Sequence, residues 1–587
     1  APPPAPRLAV DANRDGTIAF DAPDATSAET PYRFWLNDDD DGNALNSEQE
    51  VSASTAKDYE SRGDFGIASK RDLEDFARLW IKSSGITDAL KSGDLQLGLL
   101  WKADTVTGSP ALNLYRHYET DGGTGYLTDN AIAIQQTTPP YSTTLIDATG
   151  KNVVSATGGI FVLKKEAFAG LSESQPKTHL LFEGAGIGKG LLQIVVLDWN
   201  GTQIGDGPGV WFDLKSVQSM YQRVKVTPRD PIGIPKPYRE STTFDASTTG
   251  TEPWDNGYPL QVPPDETQSA LVFVHGSNIP YEEARWNAET MFKRLYWQGY
   301  KGRFVLFYWD TLVGVDTGFP DPLGQIPALP YNLNEYRALK YGPALKNFVA
   351  SLAQGRTVNV TSHSLGAGVV LSALKAGMAV NNYLILQGAY SAKSYNVGLP
   401  TLQRFQDAEA VGATPDLAAI LGYGGYLSNV QGALINMFNP DDFALATGSA
   451  NLNPLYPGAT ELNWERNQEI SKPDDPLGVG QYYYFSQIPA GYTGVFPQGG
   501  SVIFLFGGIP RAVTDPHESM AFIARTRTKA VGALAGVGGV VSHEVQLNNP
   551  TYNFGATRSD HSAEFTRTVH ETDAFYQRIF DSVGATP

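Results

Sequence analysis

One serine of this sequence stands where its hydroxyl could act as a nucleophile. Residues 357–370 read TVNVTSHSLGAGVV, so an apolar run that favours a strand leads into Ser364, and a run that favours a helix follows at once. A sharp strand-to-helix turn of this kind holds a serine hydroxyl above the end of a sheet, with small residues where the backbone passes close. Ser362 takes the position where glycine is usual, and Gly366 is present. The alternative is an ordinary turn in which Ser364 only caps the helix.

A serine nucleophile requires a histidine base and a carboxylate that orients the histidine, and in this type of turn both follow the serine in the chain. Residues 434–445 read LINMFNPDDFAL, which predicts a strand that ends in two aspartates. The spacing from Asn436 and Asn439 places Asp442 on the same side of a regular turn, so Asp442 is predicted as the acid. Asp441 is the alternative.

The predicted base is His561, which lies in the loop sequence RSDHSAEF directly before the last helix. We expect the histidine there because this type of fold carries its base late in the chain, after the acid. His517, which precedes a helical run, and His543 are the alternatives. His570 falls within a helical period and is interpreted as an ordinary helix residue.

Two main-chain N–H groups bind the oxyanion that forms when a serine attacks a carbonyl carbon. The residue after the nucleophile, Leu365, is predicted to supply one of them. The apolar run ALVFV ends in the sequence His275-Gly276-Ser277-Asn278, and Ser277 or Asn278 is predicted to supply the other. The imidazole of His275 is interpreted as a structural group that packs the strand end.

These segments together resemble the bacterial α/β-hydrolase families related to lipases and esterases. The resemblance is carried by VFVHGSN, LNEYRALKYGPALKNFVASLA and NVTSHSLGAGVVLSALK, and it covers residues from about 269 to 580. It implies a serine hydrolase that cleaves a carboxylic ester through an acyl-enzyme on Ser364, and it does not name the substrate. The alternatives are a depolymerase of a polyester or polysaccharide ester, an acyltransferase, and a catalytically inactive binding protein with the same fold.

The order of apolar and amphipathic segments predicts an α/β fold. After residue 269, continuous apolar runs alternate with helical stretches, which is typical of a mostly parallel sheet covered on both faces. Before residue 225, short alternating runs separated by turn signals predict a β-rich, sandwich-like region. We therefore expect a β-rich accessory domain (1–225), an extended linker (226–268) and an α/β-hydrolase catalytic domain (269–587).

Composition argues against several classes of function. The formal net charge is −18, which argues against binding of nucleic acid or of anionic lipid, because both need a basic surface. The chain has no cysteine, so disulfides, thiolate metal sites and a cysteine nucleophile are excluded. No apolar run reaches the about 20 residues of an integral membrane segment. The composition and the abrupt start APPPAPRLAV favour a secreted or periplasmic protein, with a small-molecule or polymeric ester as its expected substrate.

Two acidic loops near the N-terminus predict structural calcium, whereas the expected catalysis needs no cofactor. The first loop matches a calcium-binding template, with oxygen ligands at Asn37, Asp39, Asp41 and Glu48. The second begins in the same way, with Asp11, Asn13 and Asp15, but lacks an acid at the twelfth position. Crowded carboxylates repel one another, and a divalent cation relieves that repulsion. The alternative is a pair of solvated acidic turns.

Overall fold

The fold is that of a computed structural model, which describes part of the chain. The described residues are 4–36, 73–117, 122–128, 152–226, 259–277, 279, 281–311, 328–389, 427–442, 445, 502–506, 509–513, 531–533, 535, 543–555, 558–567 and 569–584.

Nine described strands form one hydrogen-bonded sheet in the N-terminal region. They are β1 (Arg7–Ala9), β2 (Tyr32–Trp35), β3 (Phe76–Lys82), β4 (Leu95–Trp101), β5 (Thr107–Arg116), β6 (Asn152–Ser155), β7 (Phe161–Leu163), β8 (Lys177–Asp198) and β9 (Gln203–Lys215). The 22-residue strand β8 is the central strand of this sheet, since it pairs antiparallel with β3, β4, β5 and β9. Two short helices, α1 (Thr87–Ser92) and α2 (Gly125–Thr128), lie between the strands. This β-rich sheet agrees with the predicted fold class.

A second sheet of seven described strands is parallel throughout. Its members are β10 (Gln222–Lys225), β11 (Ser269–Val274), β12 (Arg303–Tyr308), β13 (Thr357–His363), β14 (Tyr383–Leu386), β15 (Leu434–Phe438) and β18 (His543–Gln546), in the order β10-β12-β11-β13-β14-β15-β18. The central strands are apolar and buried at nearly every position, because helices cover both faces of such a sheet. The predicted α/β class is confirmed.

The helices that accompany this sheet follow their strands in the chain. They are α3 (Tyr281–Trp297), α4 (Ala328–Leu352), α5 (Gly366–Lys375), α6 (Ala563–Thr566) and α7 (Val569–Val583). A separate hairpin is formed by β16 (Val502–Phe506) and β17 (Ile509–Val513). Among the described helices, none is long and apolar enough to cross a membrane.

Helix α3 joins the two sheets into one hydrophobic core. Its residues Leu295 and Tyr296 belong to the same buried cluster as Trp35 of β2. The ring of Trp35 stands edge-on to that of Tyr296, with 5.0 Å between the ring centroids, and the Tyr296 hydroxyl donates to the carbonyl of Arg33. The guanidinium of Arg14 lies 4.0 Å from the centroid of the Tyr296 ring. The N-terminal sheet therefore packs directly on the domain that carries Ser364.

The parallel sheet begins earlier in the chain than the predicted catalytic domain. Strand β10, which lies before the predicted boundary at residue 225, pairs in parallel with β12. Residues at the end of the predicted linker also pack on the body of the protein: Gln261 donates from its main chain to Ser219, and Glu266 pairs with Arg303 and Arg356. The N-terminal part thus contributes an edge strand to the parallel sheet.

Candidate active site

Ser364 lies in a tight turn between β13 and α5, at the carboxyl edge of the parallel sheet. Its backbone φ is 51°, a left-handed conformation that costs a non-glycine residue about 1–2 kcal/mol. Two main-chain hydrogen bonds hold this turn, from Ser364 N to Leu386 O at 3.0 Å and from Ala389 N to Ser364 O at 2.8 Å. Strain of this kind persists where surrounding structure enforces it, and it is common at functional sites.

Gly366 has a steric role in the same turn. A Cβ atom there would lie 2.4 Å from the carbonyl oxygen of Val274 and 2.7 Å from that of His275. The start of α5 therefore passes directly over the end of β11, where only glycine fits. At Ser362, the small side chain is accommodated, and its hydroxyl lies 2.9 Å from that of Tyr383.

Three side chains that are far apart in the sequence meet at this turn. His561 Nε2 lies 2.9 Å from Ser364 Oγ, and His561 Nδ1 lies 2.7 Å from Asp442 Oδ2. A carboxylate can only accept, so Nδ1 carries the proton and donates to Asp442. In the neutral ring Nε2 is then an acceptor for the Ser364 hydroxyl. This arrangement allows the serine to pass its proton to the histidine.

The two adjacent aspartates after β15 have different surroundings. Asp442 is buried, at 1% exposure, and its second oxygen accepts from the main chain of Leu445 at 3.1 Å. Asp441 is exposed and accepts from the amide of Asn548 at 2.6 Å. Of the two carboxylates that the sequence left open, Asp442 is the one in contact with His561.

The alternative histidines are placed differently from His561. His543 is exposed and begins β18, where it pairs with Ile435 at the start of β15. This is the amino edge of the parallel sheet, opposite the edge that carries Ser364. His570 lies in α7. His517 lies outside the described residues.

The loop after β11 approaches the serine closely. A Cβ atom on Gly276 would lie 2.9 Å from Ser364 Cβ, so Ser277 follows a residue that already touches the serine. Leu365 is the N-cap of α5, where helical N–H groups lack partners within the helix. Ser277 and Leu365 therefore stay the candidates that would bind the oxyanion, whereas Asn278 lies outside the described residues.

His275 is buried and neutral, and its hydrogen bonds to Gly276 and Trp309 support this loop. Its Nε2 accepts from the Trp309 main chain at 3.2 Å, and its Nδ1 donates to the carbonyl of Gly276 at 2.9 Å. Trp309 Nε1 donates in turn to the carbonyl of His275 at 2.8 Å. Burial lowers the pKa of His275 to about 3. The imidazole therefore braces the strand end, and it stays uncharged near neutral pH.

Comparison with known proteins identifies the domain around this site. A family described as alpha/beta hydrolase of unknown function (DUF900) matches residues 260–395, from just before β11 to just beyond β14. This part of the chain has the α/β-hydrolase fold. Among solved structures, the chain is similar to the carboxylesterase CesB (YbfK) from Bacillus subtilis, with 11% identity over 30% of this chain and 67% of that chain and a TM-score of 0.16. None of the curated proteins matches the chain.

Behind His561, the hydrolase domain buries a second histidine and a carboxyl group that the sequence reading did not select. His363 donates from Nε2 to the carbonyl of His561 at 2.7 Å, and that nitrogen lies 3.5 Å from Glu564 Oε1. Burial lowers the pKa of His363 to about 3. Burial, followed by the charge of Asp442, raises the pKa of Glu564 to about 8. Both groups are therefore mainly uncharged at neutral pH, so neither adds a charge behind His561.

Three further side chains hold the segment that carries His561. Gln387, at the end of β14, donates to the carbonyl of Asp560 at 3.0 Å. Arg567 pairs with the carboxylate of Asp560 and donates to the carbonyl of Asn553 at 2.7 Å. Arg294 of α3 reaches the same segment from the other side. Gln387 has a positive φ of 42°. The sequence does not predict this, because glutamine has no preference for that conformation.

The second acidic loop is described, and its carboxylates already have donors. Asp11 accepts from the main chains of Asp15 and Gly16 at 3.1 and 2.9 Å and pairs with the buried Arg78 at 3.0 Å. Within the described part of the chain, no group of three or more His, Cys, Asp or Glu side chains is arranged to hold a metal ion. Arg78 thus occupies one side of Asp11, and calcium at Asp11, Asn13 and Asp15 stays a prediction.

The first acidic loop, residues 37–48, is the other predicted calcium site. Its predicted ligands Asn37, Asp39, Asp41 and Glu48 lie outside the described residues. Calcium at this loop stays a prediction.

Proposed function

We propose that this chain is a serine hydrolase that cleaves carboxylic esters through an acyl-enzyme on Ser364. The observation that carries the proposal is the pair of contacts made by His561, at 2.9 Å to Ser364 and at 2.7 Å to Asp442. A nucleophile, a base and an orienting acid in this order of contact are what acyl transfer requires.

The proposed reaction begins with attack of Ser364 Oγ on the ester carbonyl carbon, while its proton passes to His561 Nε2. The carbonyl oxygen becomes an oxyanion, which main-chain N–H groups at Leu365 and in the loop after Gly276 would bind. Asp442 stabilises the imidazolium form of His561. Collapse of the tetrahedral intermediate breaks the ester C–O bond, and the leaving alcohol takes the proton from His561.

Hydrolysis of the acyl-enzyme completes the cycle. Water gives a proton to His561 Nε2 as its oxygen attacks the acyl carbon, and Ser364 leaves with that proton, so the carboxylic acid is released and the free serine is restored. If an alcohol takes the place of water in this step, the same residues perform acyl transfer. The ratio of the free carboxylic acid to the newly formed ester therefore distinguishes a hydrolase from an acyltransferase.

The test of this proposal uses a fluorophosphonate probe and a panel of nitrophenyl esters of increasing chain length. We expect the probe to label Ser364 and the esters to be turned over. The variant Ser364→Ala should fold normally by circular dichroism and lose both properties, with a fall in kcat on the order of 10⁶ by analogy with serine proteases. A folded Ser364→Ala protein with wild-type turnover would refute the serine mechanism, and an unlabelled wild-type protein would favour the inactive binding protein.

A secreted or periplasmic location, and a small-molecule or polymeric ester as substrate, remain part of this proposal. The same panel addresses the second point. Preference for long or insoluble esters over short soluble ones would favour a depolymerase or a lipase-like enzyme.

A further inference from the structure

The segment that carries His561 is attached to helix α3 by one buried arginine. Arg294 Nη1 donates to the carbonyl of Glu564 at 2.9 Å and to the hydroxyl of Thr572 at 2.7 Å, and Nη2 donates to the carbonyl of Arg567 at 2.9 Å. The first of these carbonyls is three residues beyond His561. Because a guanidinium is planar and presents its donors in a rigid fork, it fixes α6 and the start of α7 relative to α3.

The negative charge that accompanies this arginine comes from the N-terminal sheet. Glu74 lies in a 3₁₀ turn, Leu73–Asp75, directly before β3, and its Oε1 is 3.4 Å from Arg294 Nε. The side chains of Arg294 and Glu74 are 1% and 0% exposed. Trp297 Nε1 also donates to the Glu74 carbonyl at 2.9 Å, which holds the turn against α3. A charge buried to this degree is costly when its partner is removed.

A neighbouring ion pair provides an internal comparison. Asp75 and Lys293 are adjacent in sequence to Glu74 and Arg294, and Lys293 Nζ lies 2.8 Å from Asp75 Oδ1 with both side chains fully buried. Asp75 Oδ1 also accepts from Trp35 Nε1, at 2.5 Å. This pair joins the same turn to the same helix, and Trp35, which also contacts Asp75, lies in β2.

We propose that Arg294 is a positioning residue for His561, and that Glu74 makes the N-terminal sheet part of the active-site scaffold. The inference rests on the proposed function of His561 as base. Glu74 holds the guanidinium, the guanidinium holds the main chain of residues 564–567, and that main chain sets where the imidazole stands relative to Ser364. The N-terminal region is then required for turnover, beyond any role in binding substrate.

The experiment compares Glu74→Gln with the matched control Asp75→Asn. Each substitution removes one buried negative charge from the same turn without changing the size of the side chain. For Glu74→Gln we expect kcat to fall by about tenfold or more with KM within about twofold, because a small displacement of a catalytic group lowers the chemical step strongly. For Asp75→Asn we expect a comparable loss of melting temperature with kcat within about twofold. Rates are measured at a temperature below the unfolding transitions of both variants. They are expressed per active site, after titration of the active sites.

A second variant, Arg294→Lys, keeps the positive charge, but its single nitrogen offers three N–H donors for the four partners Glu74, Glu564, Arg567 and Thr572. We expect it to lower kcat as Glu74→Gln does and to slow fluorophosphonate labelling of Ser364. Equal kcat values for Glu74→Gln, Arg294→Lys and Asp75→Asn would overturn the proposal, because the ion pair would then contribute stability alone. If the wild-type protein is not labelled at Ser364 at all, the proposed function fails instead, so the two failures are distinguishable.

If neither variant folds, the wild-type protein still tests the proposal. Turnover and hydrogen exchange of β3 are followed together across a urea series. Loss of turnover at or below the concentration at which β3 loses protection supports the coupling. Full turnover after β3 exchanges freely overturns it.

Discussion

Ser364 and Gly366 show how much local geometry depends on single residues. Ser364 adopts a φ of 51°, and its neighbour Gly366 leaves no room for a Cβ beside Val274. The acid and the base depend on placement instead, since Asp442 and Asp441 are chemically identical and differ only in what surrounds them. Two predictions follow from these surroundings.

The first concerns the choice of acid. Asp442→Asn should lower kcat by about 10⁴, because an amide at this position favours the wrong tautomer of His561. Asp441→Asn should change kcat and stability little, since its carboxylate is exposed and contacts only Asn548 among the described residues. Steady-state kinetics of both variants with one nitrophenyl ester decide the matter. Comparable losses in the two variants would contradict the assignment of Asp442.

The second concerns Glu564 and pH. Burial raises its pKa to about 8 from an ordinary value of 4.5, so between these values the folded chain holds a proton that the unfolded chain releases. The stabilising contribution is fully present below pH 4.5 and is lost as the pH rises toward 8. Glutamine does not titrate. The stability of Glu564→Gln relative to wild type should therefore rise with pH, by on the order of 3 kcal/mol between pH 5 and 8.

Urea unfolding of both proteins at several pH values measures this difference. The buried histidines His275 and His363 are present in both proteins, and their pKa values of about 3 keep both uncharged in the folded chain between pH 5 and 8, so their contributions cancel. Parallel stability curves for Glu564→Gln and wild type would show that the carboxyl group ionises normally in the folded chain.

At the scale of elements, the site depends on how the ends of three parallel strands meet. Strand β11 leads into the loop containing Gly276, β13 ends directly before Ser364, and β14 ends directly before Gln387. Parallel strands present their carboxyl ends at one edge of the sheet, which is where such folds place their ligands. The close crossing of α5 over the end of β11 fixes the distance between the Gly276 loop and Ser364.

The variant Gly366→Ala tests this crossing. The added methyl would lie 2.4 Å from the carbonyl oxygen of Val274, so the turn must shift, and we expect a loss of about 1–3 kcal/mol in unfolding free energy. We also expect kcat to fall with the displacement of Ser364. Gly170→Ala is the control, because a Cβ there has no atom within 4 Å and should leave both quantities unchanged. An equal, small effect in the two variants would mean that the crossing tolerates a methyl group.

At the scale of the whole molecule, the N-terminal sheet and the hydrolase domain share one core. Leu295 and Tyr296 of α3 pack with Trp35, β10 completes the parallel sheet, and two buried ion pairs cross the contact. Removing the N-terminal region would expose this apolar surface and leave Lys293 and Arg294 without the carboxylates that accompany them, which is strongly unfavourable for buried charges.

We therefore expect residues 259–587 alone to be insoluble or to unfold without a cooperative transition. Co-expression with residues 1–226 as a separate chain should restore folding, since the contacts between the two parts do not need a continuous backbone. Circular dichroism, calorimetry and ester turnover of the single fragment, the pair of fragments and the full chain test this. A soluble, active fragment 259–587 would contradict the shared core.

The amino-acid sequence by itself determined the α/β class, the strand–Ser364–helix turn and the two short segments that contain the acid and the base. It could do so because apolar periodicity, a small residue at a turn and the chain order of the elements are local properties. The sequence predicted Asp442 and His561 but left Asp441, His517 and His543 open. That His561 contacts both Asp442 and Ser364 depends on residues 119 and 197 positions away in the chain, so only the tertiary structure shows it. The roles of His363, Gln387 and Arg294, and the continuity of the core across Trp35 and Tyr296, depend likewise on which surfaces meet when the chain folds, and no local pattern encodes that.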